Sequence, residues 1–273
     1  MDLSEEIFAL LGICSKTLRI FPGLLAEGTK EQISDAIAQL LVKHGVNPGL
    51  AKSVSSRHVS YWATAPEHLN ELDDLSDLFT LLRQHGILIG ICTSDSRAGT
   101  TKSLIALDVL HLVDVIVCGD DPDGRPKPDP HNARMICDQL DIKPEEAVMV
   151  GDTPTDIQFA KNGNFGLGVG VLTGIGQRED LERAWYGSER PGIVEKANPD
   201  DKFHIVPSVA DIIPLVLPDS TIPIQSLLRH TLTESTSSPG VSEMIRLIIL
   251  DKDGSLTNVH PRWSDWAESI CSK

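Results

Sequence analysis

Asp251 and Asp253 stand two residues apart, directly behind the strand-like run Ile245-Arg246-Leu247-Ile248-Ile249-Leu250. Two further carboxylates sit in Gly151-Asp152-Thr153-Pro154-Thr155-Asp156, again behind an apolar run, Ala147–Val150. A third apolar run, Ile87–Ile91, leads through Cys92 to Thr93-Ser94-Asp95-Ser96, and Lys127 lies in Gly124-Arg125-Pro126-Lys127-Pro128-Asp129-Pro130. Carboxylates crowded into one cleft repel one another unless a cation joins them. Mg²⁺ suits such a set, because it favours oxygen ligands and keeps several waters. A carboxylate can attack phosphorus to give an aspartyl-phosphate, splitting hydrolysis into two steps. A second carboxylic acid can protonate the leaving oxygen and then activate water. A lysine and a hydroxyl can hold the charge of the transferring group. The combination points to phosphoryl transfer.

Such chemistry requires the four segments to meet. Short continuous apolar runs at 87–91, 113–117, 147–150 and 166–171 read as strands buried on both faces, with helix-like segments between them near 99–110, 131–140 and 154–162. Strands alternating with helices predict an α/β fold, a Rossmann-like parallel sheet with crossover helices, whose ligands bind at the carboxyl ends of the strands. His204-Ile205-Val206 adds an edge strand and Val209–Leu215 a closing helix. Residues 1–66 read as a small all-helical cap, with Thr29 and Gln32 forming a capping box ahead of Ile33, Ile37, Leu40 and Leu41. A second amphipathic stretch carries Leu69, Leu72, Leu75, Phe79 and Leu82 and stops at Gly86. The organisation is therefore cap 1–66, core 67–217, a Pro/Ser/Thr-rich linker 218–243, and a strand and helix, 244–273, that complete the core.

The chain has 273 residues, 24 Lys plus Arg against 39 Asp plus Glu, and a formal charge of −15. That field disfavours nucleic acid and anionic membranes as partners and leaves a small phosphorylated metabolite, provided a local cation overrides it. No apolar run reaches the length of a membrane span, and the amino-terminal residues lack a basic signal-peptide region, so the expected location is cytoplasmic. The five cysteines form no CxxC pair, and Cys92 and Cys118 read as small buried hydrophobes. The glycines of 166–176 miss the dinucleotide fingerprint.

The four segments together resemble the signature motifs of the haloacid dehalogenase superfamily of hydrolases, in particular its phosphoglycolate phosphatase group. The resemblance implies Asp251 as nucleophile, Asp253 as general acid/base, Thr93 as the phosphate-binding hydroxyl and Lys127 as the steadying cation. It implies Mg²⁺ held by the Asp251 carboxylate, the Asp253 backbone carbonyl and the Asp152 carboxylate, with Asp156 supporting. Substrate contacts fall to Thr93, Ser94, Lys127 and Gly254, with Lys16, Arg19, Lys30 and Arg57 as candidates for anion contacts from the cap. The carboxylate at Asp253 separates this pattern from the dehalogenase and phosphonate-cleaving branches. The implied enzyme is a Mg²⁺-dependent phosphatase of a small monoester; a phosphomutase is the alternative within the superfamily. A non-catalytic or tandem-fragment domain, completed only in trans, is the alternative outside it.

One feature departs from the superfamily. Its members carry the nucleophile motif first, whereas here it comes last, at 251–255. Circular permutation accounts for this order, because a 26-residue linker spans roughly 28 Å as a coil. The competing readings are a strand-exchanged dimer and a fragment of a tandem protein.

Overall fold

The computed structural model describes residues 3–62, 71–187, 202–217 and 245–258. Six strands form one fully parallel sheet: β1 (Leu88–Cys92), β2 (Val115–Val117), β3 (Ala147–Gly151), β4 (Leu167–Val171), β5 (Phe203–Val206) and β6 (Leu247–Leu250), in the spatial order β2-β1-β6-β3-β4-β5. β6 lies at the centre: Ile248 is paired with Ile89 of β1 on one side and with Val148 of β3 on the other. β1 and β3 meet only through it.

The two-residue period of a strand explains the two apolar layers. Ile248 and Leu250 face one way, onto Leu78, Phe79 and Leu82 of α5 (Leu75–Gln84), with Leu104 and Val109 packed in the same layer. Leu247 and Ile249 face the other way, with Ile136, Met149, Phe159 and Phe165. The crossovers around these layers are α6 (Arg97–Ala106), α7 (His131–Leu140), α8 (Pro154–Asn162) and α9 (Arg178–Tyr186), and α10 (Ile213–Val216) follows β5.

The amino-terminal segment builds its own small core. It comprises α1 (Leu3–Leu11), α2 (Leu24–Glu27), α3 (Lys30–Lys43) and α4 (Pro48–Trp62). Phe8, Leu11, Ile20, Leu25, Ile33 and Val59 pack together there, joined by Ile175 from the loop after β4. The capping box at the start of α3 is present: Thr29 N donates to Gln32 Oε1 at 2.8 Å and Gln32 N to Thr29 Oγ1 at 3.3 Å.

Some expected boundaries move. α5 begins at Leu75 because Asp74 caps it, accepting a 3.2 Å hydrogen bond from Asp77 N, so Leu72 precedes the helix. α6 ends at Ala106, with a separate turn at Leu110–Leu112. The linker 218–243, the helix expected late in 244–273, and Leu69 lie outside the described residues. No helix among the described residues is long and apolar enough to cross a membrane.

Candidate active site

The carboxyl ends of β1, β6 and β3 lie side by side, and Thr93, Asp251 and Asp152 follow them. Backbone bonds carry the sheet register into these residues: Thr93 N donates to Val117 O at 3.0 Å and Asp251 N to Val150 O at 2.9 Å. Lys127 arrives from the loop before α7, and Asp156 from the first turn of α8.

Lys127 ties the centre together. Its Nζ donates to Asp156 Oδ1 at 2.5 Å, to Asp251 Oδ1 at 2.7 Å and to Cys92 O at 3.0 Å, with only 5% of the side chain exposed. Burial works against the ammonium, but Asp156 and Asp251 more than offset it and hold it above the ordinary lysine range. The Asp251 carboxyl is pushed up to about 7, chiefly by burial, with Lys127 pulling the other way. Asp156 serves twice. Its Oδ2 accepts from Thr153 N at 3.1 Å and from Thr153 Oγ1 at 2.7 Å, capping α8, while its Oδ1 meets the lysine.

Asp152 has one need the protein leaves unmet. It is 1% exposed, and its Oδ2 accepts from Ile175 N at 2.9 Å, yet its buried Oδ1 has no hydrogen-bond partner. Burial, and after it Asp156 and Asp251, raise its carboxyl well above the usual range. Carboxylate oxygens of Asp152, Asp156 and Asp251 come within 4.8 Å of one another. An orphaned acceptor in a buried carboxylate cluster fits a hard divalent cation, which takes oxygen ligands and removes the repulsion. Glycines press the cluster into place. A Cβ on Gly174 would stand 1.9 Å from Asp152 Oδ2, one on Gly254 2.3 Å from the same atom, and one on Gly151 2.4 Å from Asp156 Cγ.

Thr93, Ser94, Lys127, Asp152, Asp156, Asp251 and Asp253 all line one cavity of about 70 Å³, large enough for several waters. Thr93 Oγ1 accepts from Asp95 N at 3.1 Å, and the N-cap of α6 is Ser96, so Thr93 does not cap that helix. The Ser94 hydroxyl is engaged by the cap, donating to Glu27 O at 2.8 Å. Gly254 does not line the cavity; its N donates to Thr257 O at 2.8 Å, and the side of it where a Cβ would stand is taken up by Asp152. Arg125, the other cation beside Lys127, is exposed and faces Asp129 at 3.5 Å. Burial pushes the Cys92 thiol up to about 12, leaving it an inert apolar group.

The cap supplies Ile20, Leu25, Glu27, Lys30, Ile33 and Val59 to the cavity wall. Of the four cap cations singled out in the sequence, Lys30 lines the cavity and Lys16, Arg19 and Arg57 are exposed outside it. Lys30 Nζ donates to Ser96 Oγ at 2.6 Å, with Asp95 Oδ1 4.0 Å away. Glu27 Oε1 accepts from Thr155 N at 3.1 Å and from the Thr155 hydroxyl. Two residues here escaped sequence reasoning. Glu27 meets a partner 128 positions away, which no local pattern announces. Lys252 announces itself only as a charge in an apolar strand's continuation, between two aspartates.

A family model described as haloacid dehalogenase-like hydrolase matches residues 25–167, and a second, described as HAD-hydrolase-like, matches 124–211. Validoxylamine A 7'-phosphate phosphatase of Streptomyces hygroscopicus is 31% identical over 155 residues, covering 56% of this chain and 68% of that protein. Phosphoglycolate phosphatase of Rhodospirillum rubrum is 40% identical over 86 residues, covering 31% of this chain but only 34% of that protein. The crystal structure of a hydrolase from Pseudomonas syringae superposes with a TM-score of 0.47 at 17% identity, over 77% of this chain and 87% of that one.

Proposed function

We propose an activity from one premise: the chain belongs to the haloacid dehalogenase-like hydrolases. The activity is hydrolysis of a small phosphate monoester through an aspartyl-phosphate on Asp251. The observation that carries it is the Asp251 carboxylate, buried at the end of the central strand and held by the Lys127 ammonium at 2.7 Å. That contact aims an oxygen nucleophile into the cavity with a fixed positive charge beside it, where the phosphoryl group gathers negative charge.

In the first step an Asp251 oxygen bonds to phosphorus while the bond from phosphorus to the ester oxygen breaks, its electron pair leaving with that oxygen. The Asp253 carboxyl gives its proton to the departing oxygen, releasing an alcohol. In the second step the Asp253 carboxylate takes a proton from water. The resulting hydroxide attacks phosphorus, inorganic phosphate leaves and the Asp251 carboxylate is regenerated. Thr93 and Lys127 hold phosphoryl oxygens, and Asp156 fixes the lysine. Mg²⁺, held by Asp251 and Asp152 with the Asp253 carbonyl, would neutralise the carboxylates and phosphate oxygens so that an anion can approach Asp251. The cap walls the cavity with mainly aliphatic side chains, which exclude water and favour a compact organic group on the ester.

The test is hydrolysis of p-nitrophenyl phosphate with and without Mg²⁺ by wild type and Asp251→Asn. The expected result is metal-dependent turnover that falls at least about a thousandfold in the variant, in keeping with loss of a nucleophile. Turnover indifferent to Asp251→Asn would remove the aspartyl-phosphate route.

A further inference from the structure

Lys252 is fully buried, 0% exposed, in the loop that carries both site aspartates. Asp251 and Asp253 line the cavity and Lys252 does not. Its buried ammonium meets two carboxylates, contacting Asp253 Oδ1 and lying 3.3 Å from Asp95 Oδ2. Asp253 Oδ1 also accepts from Thr257 Oγ1 at 3.3 Å. Thr257 is itself 2% exposed and held by its own backbone, its N donating to Lys252 O at 3.2 Å. A buried ammonium is tolerated only where partners compensate its lost hydration. An apolar residue would fill this position without that demand.

We propose that Lys252 is a positioning residue for proton transfer. With Thr257 it clamps Oδ1 of Asp253, so that the other carboxyl oxygen, Oδ2, is the one presented to the ester oxygen. Asp95 anchors the clamp from the loop after β1. The inference rests on the phosphatase reading above and on Asp253 as the proton donor. Its consequence is selective: loss of the clamp harms esters whose leaving oxygen needs a proton and spares esters whose leaving group departs as a stable anion.

Phenyl phosphate and p-nitrophenyl phosphate provide the pair, being close in size but different in leaving-group basicity. We expect Lys252→Met, which keeps the stem's volume, to lower kcat/KM for phenyl phosphate by about 10–100-fold, a part of what a general acid supplies. The same variant should lower kcat/KM for p-nitrophenyl phosphate by no more than about threefold, on that same partial loss. Thr257→Val, which removes the second clamp and carries no buried charge, should show the same selectivity at about a third of the ratio. It keeps the inference testable if Lys252→Met does not fold. Combined with Asp253→Asn, the Lys252 change should add nothing further. An equal fall for both esters in the folded variants, or no change in either, overturns the clamp and leaves the phosphatase standing. A wild-type chain that turns over neither ester removes the phosphatase reading and the clamp with it.

Discussion

Replacing Lys127 by Met tests the electrostatics of the site without relying on turnover. The substitution keeps most of the buried stem and removes the charge that Asp156 meets at 2.5 Å and Asp251 at 2.7 Å. Both carboxylates are buried, so neither recovers its hydration when the ammonium goes. Breaking a buried pair from one side costs about 3–5 kcal/mol, most of it for the stranded charge. A chain of this size loses about 2–4 °C of Tm per kcal/mol, which gives a fall of about 6–20 °C. The assay is calorimetric melting in EDTA. Adding Asp156→Asn to Lys127→Met should then recover part of the loss, because one stranded carboxylate is gone while Thr153 still finds an acceptor. A single variant that melts within about 1 °C of wild type, well inside that range, would refute the reasoning. So would a double variant that falls by the sum of the two single changes.

Gly174→Ala should abolish the rise in Tm that Mg²⁺ gives wild type, because its Cβ would stand 1.9 Å from Asp152 Oδ2; an undiminished Mg²⁺ response would show that Asp152 is not a ligand. Stabilisation by Mg²⁺ should be larger at pH 8 than at pH 5. The Asp251 carboxyl, raised to about 7, and Asp152, raised well above its usual range, bind protons in the folded metal-free state that the unfolded chain releases. Acid therefore stabilises that state as pH falls through their folded values, while protons compete with the metal; melting with EDTA and with Mg²⁺ at both pH values measures this. Glu27→Ala removes the acceptor for Thr155 N and the Thr155 hydroxyl at the cap–core junction. Two hydrogen bonds of about 1 kcal/mol each are lost, so amide exchange at Thr155 should quicken by about 5–30-fold. Unchanged exchange would show that the cap is held elsewhere.

The strand ends were legible because a parallel strand buried on both faces is a continuous apolar run, and the first polar residue after it marks the sheet's carboxyl edge. The same rule singles out Thr93, Asp152 and Asp251, and these three residues line one cavity. α9 was not legible: Arg178–Tyr186 is charged over most of its surface and contributes only Leu181 to the fully buried set. Its other apolar residues, Ala184, Trp185 and Tyr186, pack at the margin near β5 and are bunched at one end, which sets no period. The grip of the cap on the core was hidden for a different reason. Glu27 to Thr155 and Lys30 to Ser96 are contacts between distant segments, and each residue alone reads as an ordinary surface group. Lys252 was hidden by its own type, since a lysine is expected in water and this one is fully buried.

The central place of β6 also sets a schedule for biosynthesis. A ribosome releases β1 through β5 before it reaches Leu247, yet β1 and β3 meet only across β6. Until then the nascent chain holds two unfinished half-sheets, each with an apolar edge open to the wrong neighbour, the condition that invites aggregation. Helix-rich segments such as the cap are built largely from local contacts and can begin to settle while synthesis continues. Closure of the sheet waits for the arrival of 247–250, and the same event delivers Asp251. The molecule thus closes its sheet and gains the Asp251 carboxylate together, so a chain halted before this point carries Lys127 and Asp152 without the nucleophile proposed for them.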